Sequence, residues 1–268
     1  MTTLQAVVLA IVEGLTEYLP ISSTGQMIVV SSLMGIAADQ FTKDFTVIVQ
    51  FGAILAVLFL YWRRFIESKH LYLKLFVAFL PTAAIGFVVK SQIDALLESV
   101  TVVATTQILG GILLLFIDKW FEKRERLLAE MRAGHIDALD LKRSSLIGTV
   151  QCLAFIPGMS RSASTIIGGL FAGLNRQAAA EFSFLLAVPT LAAATAYKSI
   201  KIYETIQPDQ IGILVLGNII AFVVAVITIK LFVGFLTRRG FFIFGVYRIL
   251  LGLSILLLLA TGNRLELL

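Results

Sequence analysis

Two short runs in this 268-residue chain hold the residues whose types and spacing suit chemistry. The first reads Glu13-Gly14-Leu15-Thr16-Glu17-Tyr18-Leu19-Pro20-Ile21-Ser22-Ser23-Thr24-Gly25-Gln26. Glu13 and Glu17 are four apart and share a face if the run is helical. Carboxylates at membrane depth are costly unless paired, protonated or bound to a cation. The pair therefore suits divalent-cation ligation or general acid–base work; the bland alternative is a helix end that reaches headgroup water. The second run reads Pro157-Gly158-Met159-Ser160-Arg161-Ser162-Ala163-Ser164-Thr165, directly ahead of the apolar residues 166–170. Small hydroxyl residues and glycine at a helix start expose backbone N–H groups, and Arg161 adds a planar fork of donors. That combination makes an anion cradle suited to phosphate. Its bland alternative is an arginine snorkelling to the interface beside helix-capping serines.

The elements that position these runs lie in lipid. Hydrophobic residues make up 58% of the chain and charged ones 15%, with mean hydropathy +0.93, which excludes a soluble core and shell. Windows at 45–62, 71–89, 102–117, 211–229 and 241–260 carry no charge or only an edge charge, and each is long enough to cross the bilayer. The net charge of +5 does not imply nucleic acid, because the basic residues sit in short loops between apolar spans. The single cysteine, Cys152, excludes an internal disulfide framework and reads as a small apolar packer. Residues 1–3 lack a basic stretch and the apolar residues 4–12 run into Glu13, so the N-terminus is expected to belong to the mature fold.

Basic residues cluster at Arg63, Arg64, Lys69 and Lys74, across 119–143, and at Arg238 and Arg239, which should place those loops in the cytoplasm. The loops 90–101, with Asp94 and Glu98, and 198–210, with Glu204 and Asp209, should lie outside. Overlaying Pro20 on Pro157, an offset of 137, sets Ser23 on Ser160 and Asp44-Phe45-Thr46 on Glu181-Phe182-Ser183. With small indels Val12-Glu13 falls on Val150-Gln151 and Gln107-Ile108-Leu109 on Arg248-Ile249-Leu250. Residues 45–62 end in a basic loop, whereas their mate 182–197 begins beside Asn175 and Arg176, so the two halves are expected to be inverted. The stretches 4–34 and 146–174 are broken by proline and by Ser, Thr and Gly clusters, and each reads as a re-entrant helix pair. The expectation is an all-α integral membrane protein in one membrane domain over 1–268: repeat 1 at about 1–118, a cytoplasmic linker at about 119–143 and repeat 2 at about 144–268. It carries two re-entrant pairs and about six full transmembrane helices.

The runs at 13–25, 157–162 and Glu181-Phe-Ser-Phe-Leu-Leu-Ala-Val-Pro189 resemble the bacterial undecaprenyl pyrophosphate phosphatase family, BacA or UppP, and the resemblance extends over essentially the whole chain. It implies hydrolysis of undecaprenyl pyrophosphate to undecaprenyl phosphate and inorganic phosphate, recycling of the peptidoglycan lipid carrier, bacitracin resistance, and a periplasm-facing site in the inner membrane. Carried onto this chain, it makes Glu13 and Glu17 the acidic motif associated with a divalent cation, Mg or Ca, Ser23 a candidate nucleophile and Arg161 the phosphate clamp. Gly158, Ser160, Ser162 and Thr165 of the second motif, and Ser22 and Thr24 beside Ser23 in the first, are expected to bind the substrate. The family usually has histidine where this chain has Gln26, so a histidine role does not transfer; Gln26 is expected to donate to a phosphate oxygen.

His70 and His135 are the chain's two histidines, and both fall in expected cytoplasmic loops, which removes phosphohistidine chemistry. Two mechanisms stay open: attack by Ser23 with Glu17 as base, or a cation held by Glu13 and Glu17 activating water. The first is favoured, because Ser23 and Ser160 are expected to face each other across the site. Asp44 and Glu181 read as acids at helix starts. Gln50 and Tyr197 lie on apolar spans, where packing is favoured over lining a lipid groove, and Tyr61, Trp62 and Trp120 read as an aromatic belt. The expected partners are a polyprenyl diphosphate lipid and the bilayer, with no nucleic acid and a homo-oligomer left open. The rival reading is a transporter or flippase for an anionic prenyl lipid, which inverted repeats and broken helices also suit.

Overall fold

Apolar runs punctuated by capping residues and prolines fold, in the computed structural model, into helices joined by short turns. Residues 1–89, 99–130, 134–203 and 206–261 are described, and no strand occurs among them. In chain order the helices are α1 (Thr3–Thr16), α2 (Ser23–Leu33), α3 (Gln40–Ile48), α4 (Gln50–Glu67), α5 (Lys69–Val88) and α6 (Val100–Glu130). They continue as α7 (Leu141–Gln151), α8 (Arg161–Phe171), α9 (Arg176–Ile202), α10 (Pro208–Arg239) and α11 (Phe242–Ala260), with 3₁₀ turns at Ile136–Ala138 and Cys152–Phe155.

Six segments among the described residues are long and apolar enough to cross a bilayer: Gln40–Glu67, Lys69–Val88, Val100–Glu122, Arg176–Ile202, Pro208–Arg239 and Phe242–Ala260. The expected number is therefore present, and the chain is a multi-pass membrane protein. The last segment departs from its reading as a span with at most an edge charge, because Arg248 lies in its interior and is completely buried. Helix α1, with 14 residues, is apolar but shorter than these spans.

Helix starts are set by side-chain caps. Asp39 accepts from the Thr42 amide at 3.1 Å, Asp140 from Arg143 at 2.7 Å and Asn175 from Ala178 at 2.8 Å. These caps correct the reading of Asp44 and Glu181 as helix-start acids. Asp44 sits inside α3, where Lys198 Nζ of α9 approaches it to 2.6 Å, and Glu181 sits inside α9, paired with Arg64 Nε at 3.0 Å. Tyr61 is half-buried against Phe184, ring centroids 6.3 Å apart, whereas Trp62 and Trp120 are exposed on the apolar surface. Tyr197 is exposed beside Lys201.

Packing between the helices recurs in matched sets. Helix α1 packs on α10 and α7 on α5; α4 packs on α10 and α9 on α5; α1 meets α2 as α7 meets α8; α6 lies along α11. Gly14 and Gly148 allow the first two contacts, since an added Cβ would come within 2.8 Å of the Ala221 carbonyl oxygen and 1.8 Å of that of Ala78. Several basic loops converge on one another: Arg64 reaches Glu181 and Asp137, Lys74 donates to the carbonyls of Ile136 and Asp137, and Asp118 joins Arg176 to the backbone N–H of Phe241. The end of the central linker is thus docked on the helices, with Ile136 and Leu139 buried. The acidic-loop residues Asp94, Glu98 and Glu204 lie outside the described residues.

Candidate active site

Chain breaks after α1 and after α7 create the site. Between α1 and α2 the backbone turns at Pro20 and restarts at Ser22, with φ 66 and ψ 95; between α7 and α8 it turns at Pro157 and restarts at Ser160, with φ 72 and ψ 117. Each serine directly precedes an 11-residue helix. These are the two non-glycine residues with positive φ among those described. Such backbone costs about 1–3 kcal/mol and persists where the surroundings over-determine it, which is common at functional sites. The positions that share this conformation are Ser22 and Ser160, so the overlay at the breaks runs one residue longer than the pairing of Ser23 with Ser160. Gly158 has φ +90, and a Cβ there would stand 2.2 Å from Thr106 Oγ1, so no other residue fits the turn.

The breaks line a cavity of about 220 Å³ together with α4 and α9. Glu17, Ser22, Ser23 and Thr24 come from the first break and Pro157, Gly158, Ser160 and Arg161 from the second; Gln50, Ala154, Phe155 and Leu191 complete the wall. At its centre one carboxylate bridges two expected partners. Ser23 Oγ donates to Glu17 Oε2 at 2.7 Å, and Arg161 Nη2 donates to Glu17 Oε1 at 2.7 Å. Arg161 Nη1 also donates to the Ser183 carbonyl at 3.0 Å, its guanidinium lies over the Tyr18 ring, and its Nε is buried with no hydrogen-bond partner. The clamp therefore keeps an unused donor.

The remaining site candidates support this centre from behind. Ser162 Oγ donates to the Tyr18 carbonyl at 2.7 Å, and the Thr165 hydroxyl bonds the Arg161 carbonyl and the Ser183 hydroxyl, so both tie α8 to its neighbours and neither lines the cavity. Ser160 Oγ accepts from the Ala163 amide at 3.2 Å as an N-cap, whereas Ser22 makes no side-chain cap. Glu13 lies one helical turn before Glu17, interacts with it, and buries Oε1 without a hydrogen-bond partner.

Gln26 departs from its expected place. It is buried off the cavity wall, its Oε1 accepts from the Tyr247 hydroxyl at 2.7 Å, and its Nε2 has no partner. The physical reason is the tyrosine on α11, which draws the amide towards that helix. Gln50, for which the sequence favours packing over lining a groove, is on the cavity wall, at the junction of α3 and α4. A lone amide in an otherwise apolar span was the available signal. Gln107 and Arg248 pair in the repeat overlay without being singled out as site residues, although Arg248 is a lone cation inside an apolar span. Gln107 Nε2 donates to the Ile21 carbonyl at 3.0 Å, and Arg248 Nη1 to the Met159 carbonyl at 3.1 Å, one residue ahead of Ser22 and Ser160 respectively.

Among the described residues no group of three or more His, Cys, Asp or Glu side chains gathers for metal ligation. Glu13, whose buried Oε1 has no hydrogen-bond partner, and Glu17 are the two acidic oxygen donors that would suit a hard divalent cation, with Glu13 set behind the cavity wall and both Glu17 oxygens already bonded to Ser23 and Arg161.

Comparison with known proteins extends over nearly the whole chain. The family described as Bacitracin resistance protein BacA matches residues 6–254. The undecaprenyl-diphosphatase of Bdellovibrio bacteriovorus is 56% identical over 266 residues, covering 99% of each chain. That of Flavobacterium johnsoniae is 46% identical with 96% of each chain covered, and that of Aquifex aeolicus 46% with 94% of this chain and 97% of its own. The names these relatives carry do not favour the transporter alternative.

Proposed function

The chain belongs to the bacitracin resistance protein BacA family, and from that premise we propose that it is an undecaprenyl-diphosphatase: it hydrolyses undecaprenyl diphosphate to the monophosphate and inorganic phosphate, with recycling of the cell-wall lipid carrier and bacitracin resistance as the result. The observation that carries the reading is the Glu17 carboxylate held at 2.7 Å from both a hydroxyl and a guanidinium on one cavity wall.

In the reaction the diphosphate head enters between the breaks and draws the Arg161 fork from Glu17 onto the equatorial oxygens of the terminal phosphoryl group. Glu17, relieved of its ion pair, takes the Ser23 proton as Oγ attacks phosphorus. The phosphoanhydride bond breaks, and the lipid monophosphate departs with the bridging oxygen. Glu17 gives that proton to the departing lipid monophosphate, and as a carboxylate it then deprotonates the water that attacks the phosphoserine; the P–Oγ bond breaks, Glu17 returns the proton to Ser23 Oγ, and inorganic phosphate is released. Donors aimed at the developing charge are each worth about 10²–10³ in rate, so Arg161 and the backbone N–H groups of Ser22 and Ser160 carry much of the acceleration. A divalent cation, Mg or Ca, is assigned to Glu13 and Glu17, where it would supply charge neutralisation on the phosphate oxygens. The serine route is preferred over direct attack by water because the hydroxyl already donates to the base.

The finer architecture belongs to the same proposal. The matched packing of α1 on α10 with α7 on α5, and the shared backbone of Ser22 and Ser160, support one membrane domain of two inverted repeats joined by the linker at 119–143, each with a re-entrant pair. The convergence of the basic loops supports a cytoplasmic side, so the cavity is assigned to the periplasmic face of the inner membrane. Phosphate release by the purified protein from undecaprenyl diphosphate, with and without chelator, tests the function. Turnover that is absent in wild type rejects it.

A further inference from the structure

Among the described residues Arg248 is the largest side chain that the fold buries completely. All its donors meet carbonyl oxygens: Nε that of Gln107 at 3.4 Å, Nη1 those of Pro20 at 3.2 Å and Met159 at 3.1 Å, and Nη2 those of Thr106 at 3.3 Å and Gly158 at 2.7 Å. No carboxylate pairs with it among the described residues. One guanidinium thus ties both breaks together through Pro20 on one side and Gly158 and Met159 on the other. Because a peptide unit is planar and trans, a carbonyl drawn to Arg248 sends the N–H of the next residue the opposite way. For Met159 that residue is Ser160, which lines the cavity.

The other break isolates what is special about the arginine. There Gln107 does the corresponding work with a neutral amide, holding the Ile21 carbonyl just ahead of Ser22. A neutral donor is therefore enough to pin a break. Burying a full positive charge among neutral carbonyls is far more costly than burying an amide, so the charge must have another use. The cavity supplies one: Arg161 is ion-paired with Glu17 at 2.7 Å, whereas Arg248, which lies behind the breaks and off the cavity wall, has no such partner and bonds the carbonyls of Gly158, on that wall, and of Met159, next to Ser160.

We propose that Arg248 is a positioning residue of the phosphatase site, which fixes the N–H of Ser160 towards the cavity and whose unpaired charge sets the affinity of that cavity for the diphosphate headgroup. The proposal rests on the phosphatase reading above. It deepens that reading, because it divides headgroup affinity, carried by a buried charge on α11, from transition-state stabilisation by Arg161.

The test uses full-length protein in detergent, with phosphate release from undecaprenyl diphosphate and inhibition by inorganic pyrophosphate measured for wild type, Arg248→Gln and Arg248→Lys, and the melting temperature of each recorded. Gln mimics the neutral pin of the first break, and Lys keeps the charge while losing the fork. Arg248→Gln is expected to raise KM and the pyrophosphate inhibition constant roughly tenfold. Arg248→Lys should hold both near wild type while kcat falls. Equal KM shifts in the two variants, or none in either, would overturn the proposal. If Arg248→Gln does not fold, Arg248→Lys decides alone: an unchanged KM with lowered kcat supports it, and a tenfold higher KM refutes it. Wild type without turnover rejects the phosphatase reading instead, and calorimetric pyrophosphate affinity in the same variants then reads the charge directly.

Discussion

The break after α1 and the break after α7 have nearly the same backbone and opposite chemistry. Each turns at a proline, restarts at a serine with positive φ, and is pinned by a long side chain from α6 or α11. The first delivers a carboxylate and a hydroxyl, Glu17 and Ser23; the second delivers Arg161 and a capping serine. Ser23 and Arg161 are the first residues of their helices, so one position in the shared geometry is a candidate nucleophile on one side and a cation on the other. Cleaving a phosphoanhydride needs both a base-assisted nucleophile and a clamp for the charge that develops, and two like scaffolds can offer them only if their side chains diverge.

The sharpest way to break this comparison is to remove the residues that meet at the centre. Arg161→Ala and Glu17→Ala are each expected to lower phosphate release by about 10³ or more, and to lower the melting temperature because each strands a buried charge; normal turnover in either would show that the breaks do not act as complements. Ser23→Ala should fall by roughly 10³ as well if it is the nucleophile, and activity near wild type would leave attack to water with Glu17 as base. Chelation is the next largest expected effect. EDTA should suppress wild-type turnover and added Mg²⁺ or Ca²⁺ restore it, while Glu13→Gln should require a higher cation concentration for the same rate. Indifference of the wild type to EDTA removes the cation from the site. The smallest effect separates the two serines that look most alike. Ser160→Ala loses an N-cap and should cost about 1 kcal/mol of stability in a thermal melt, whereas Ser22→Ala, which caps nothing, should cost little. Equal losses would mean that the two breaks are held in the same way after all.

Much of this was legible in residue order, because lipid leaves few solutions: long apolar runs must be helices, and proline beside hydroxyl and glycine residues must interrupt them. Glu17, Ser160 and Arg161 could be found on type and spacing, whereas it is the family resemblance that singles out Ser23 as a nucleophile. What could not be read was direction. Gln26 follows Ser22 by four residues, yet Tyr247, far away in sequence, takes its amide away from the cavity. Asp44 and Glu181 look like helix-start acids until Lys198 and Arg64 are seen beside them. Arg248 was legible in principle, as a lone cation within an apolar span; its partners are carbonyls, which carry no mark in a sequence.

The cavity of about 220 Å³ has Glu17, Arg161 and the hydroxyl residues Ser22, Ser23, Thr24 and Ser160 on its wall, which suits it to a phosphorylated headgroup rather than to a polyprenyl chain. The hydrocarbon of a lipid served there would stay in apolar surroundings, between helices or in the bilayer, because moving it into water would cost about 0.8 kcal/mol per methylene. Encounter is then a two-dimensional event. Turnover should follow the mole fraction of substrate in the bilayer or micelle, so that adding inert detergent at fixed total substrate slows the reaction by dilution within the surface alone.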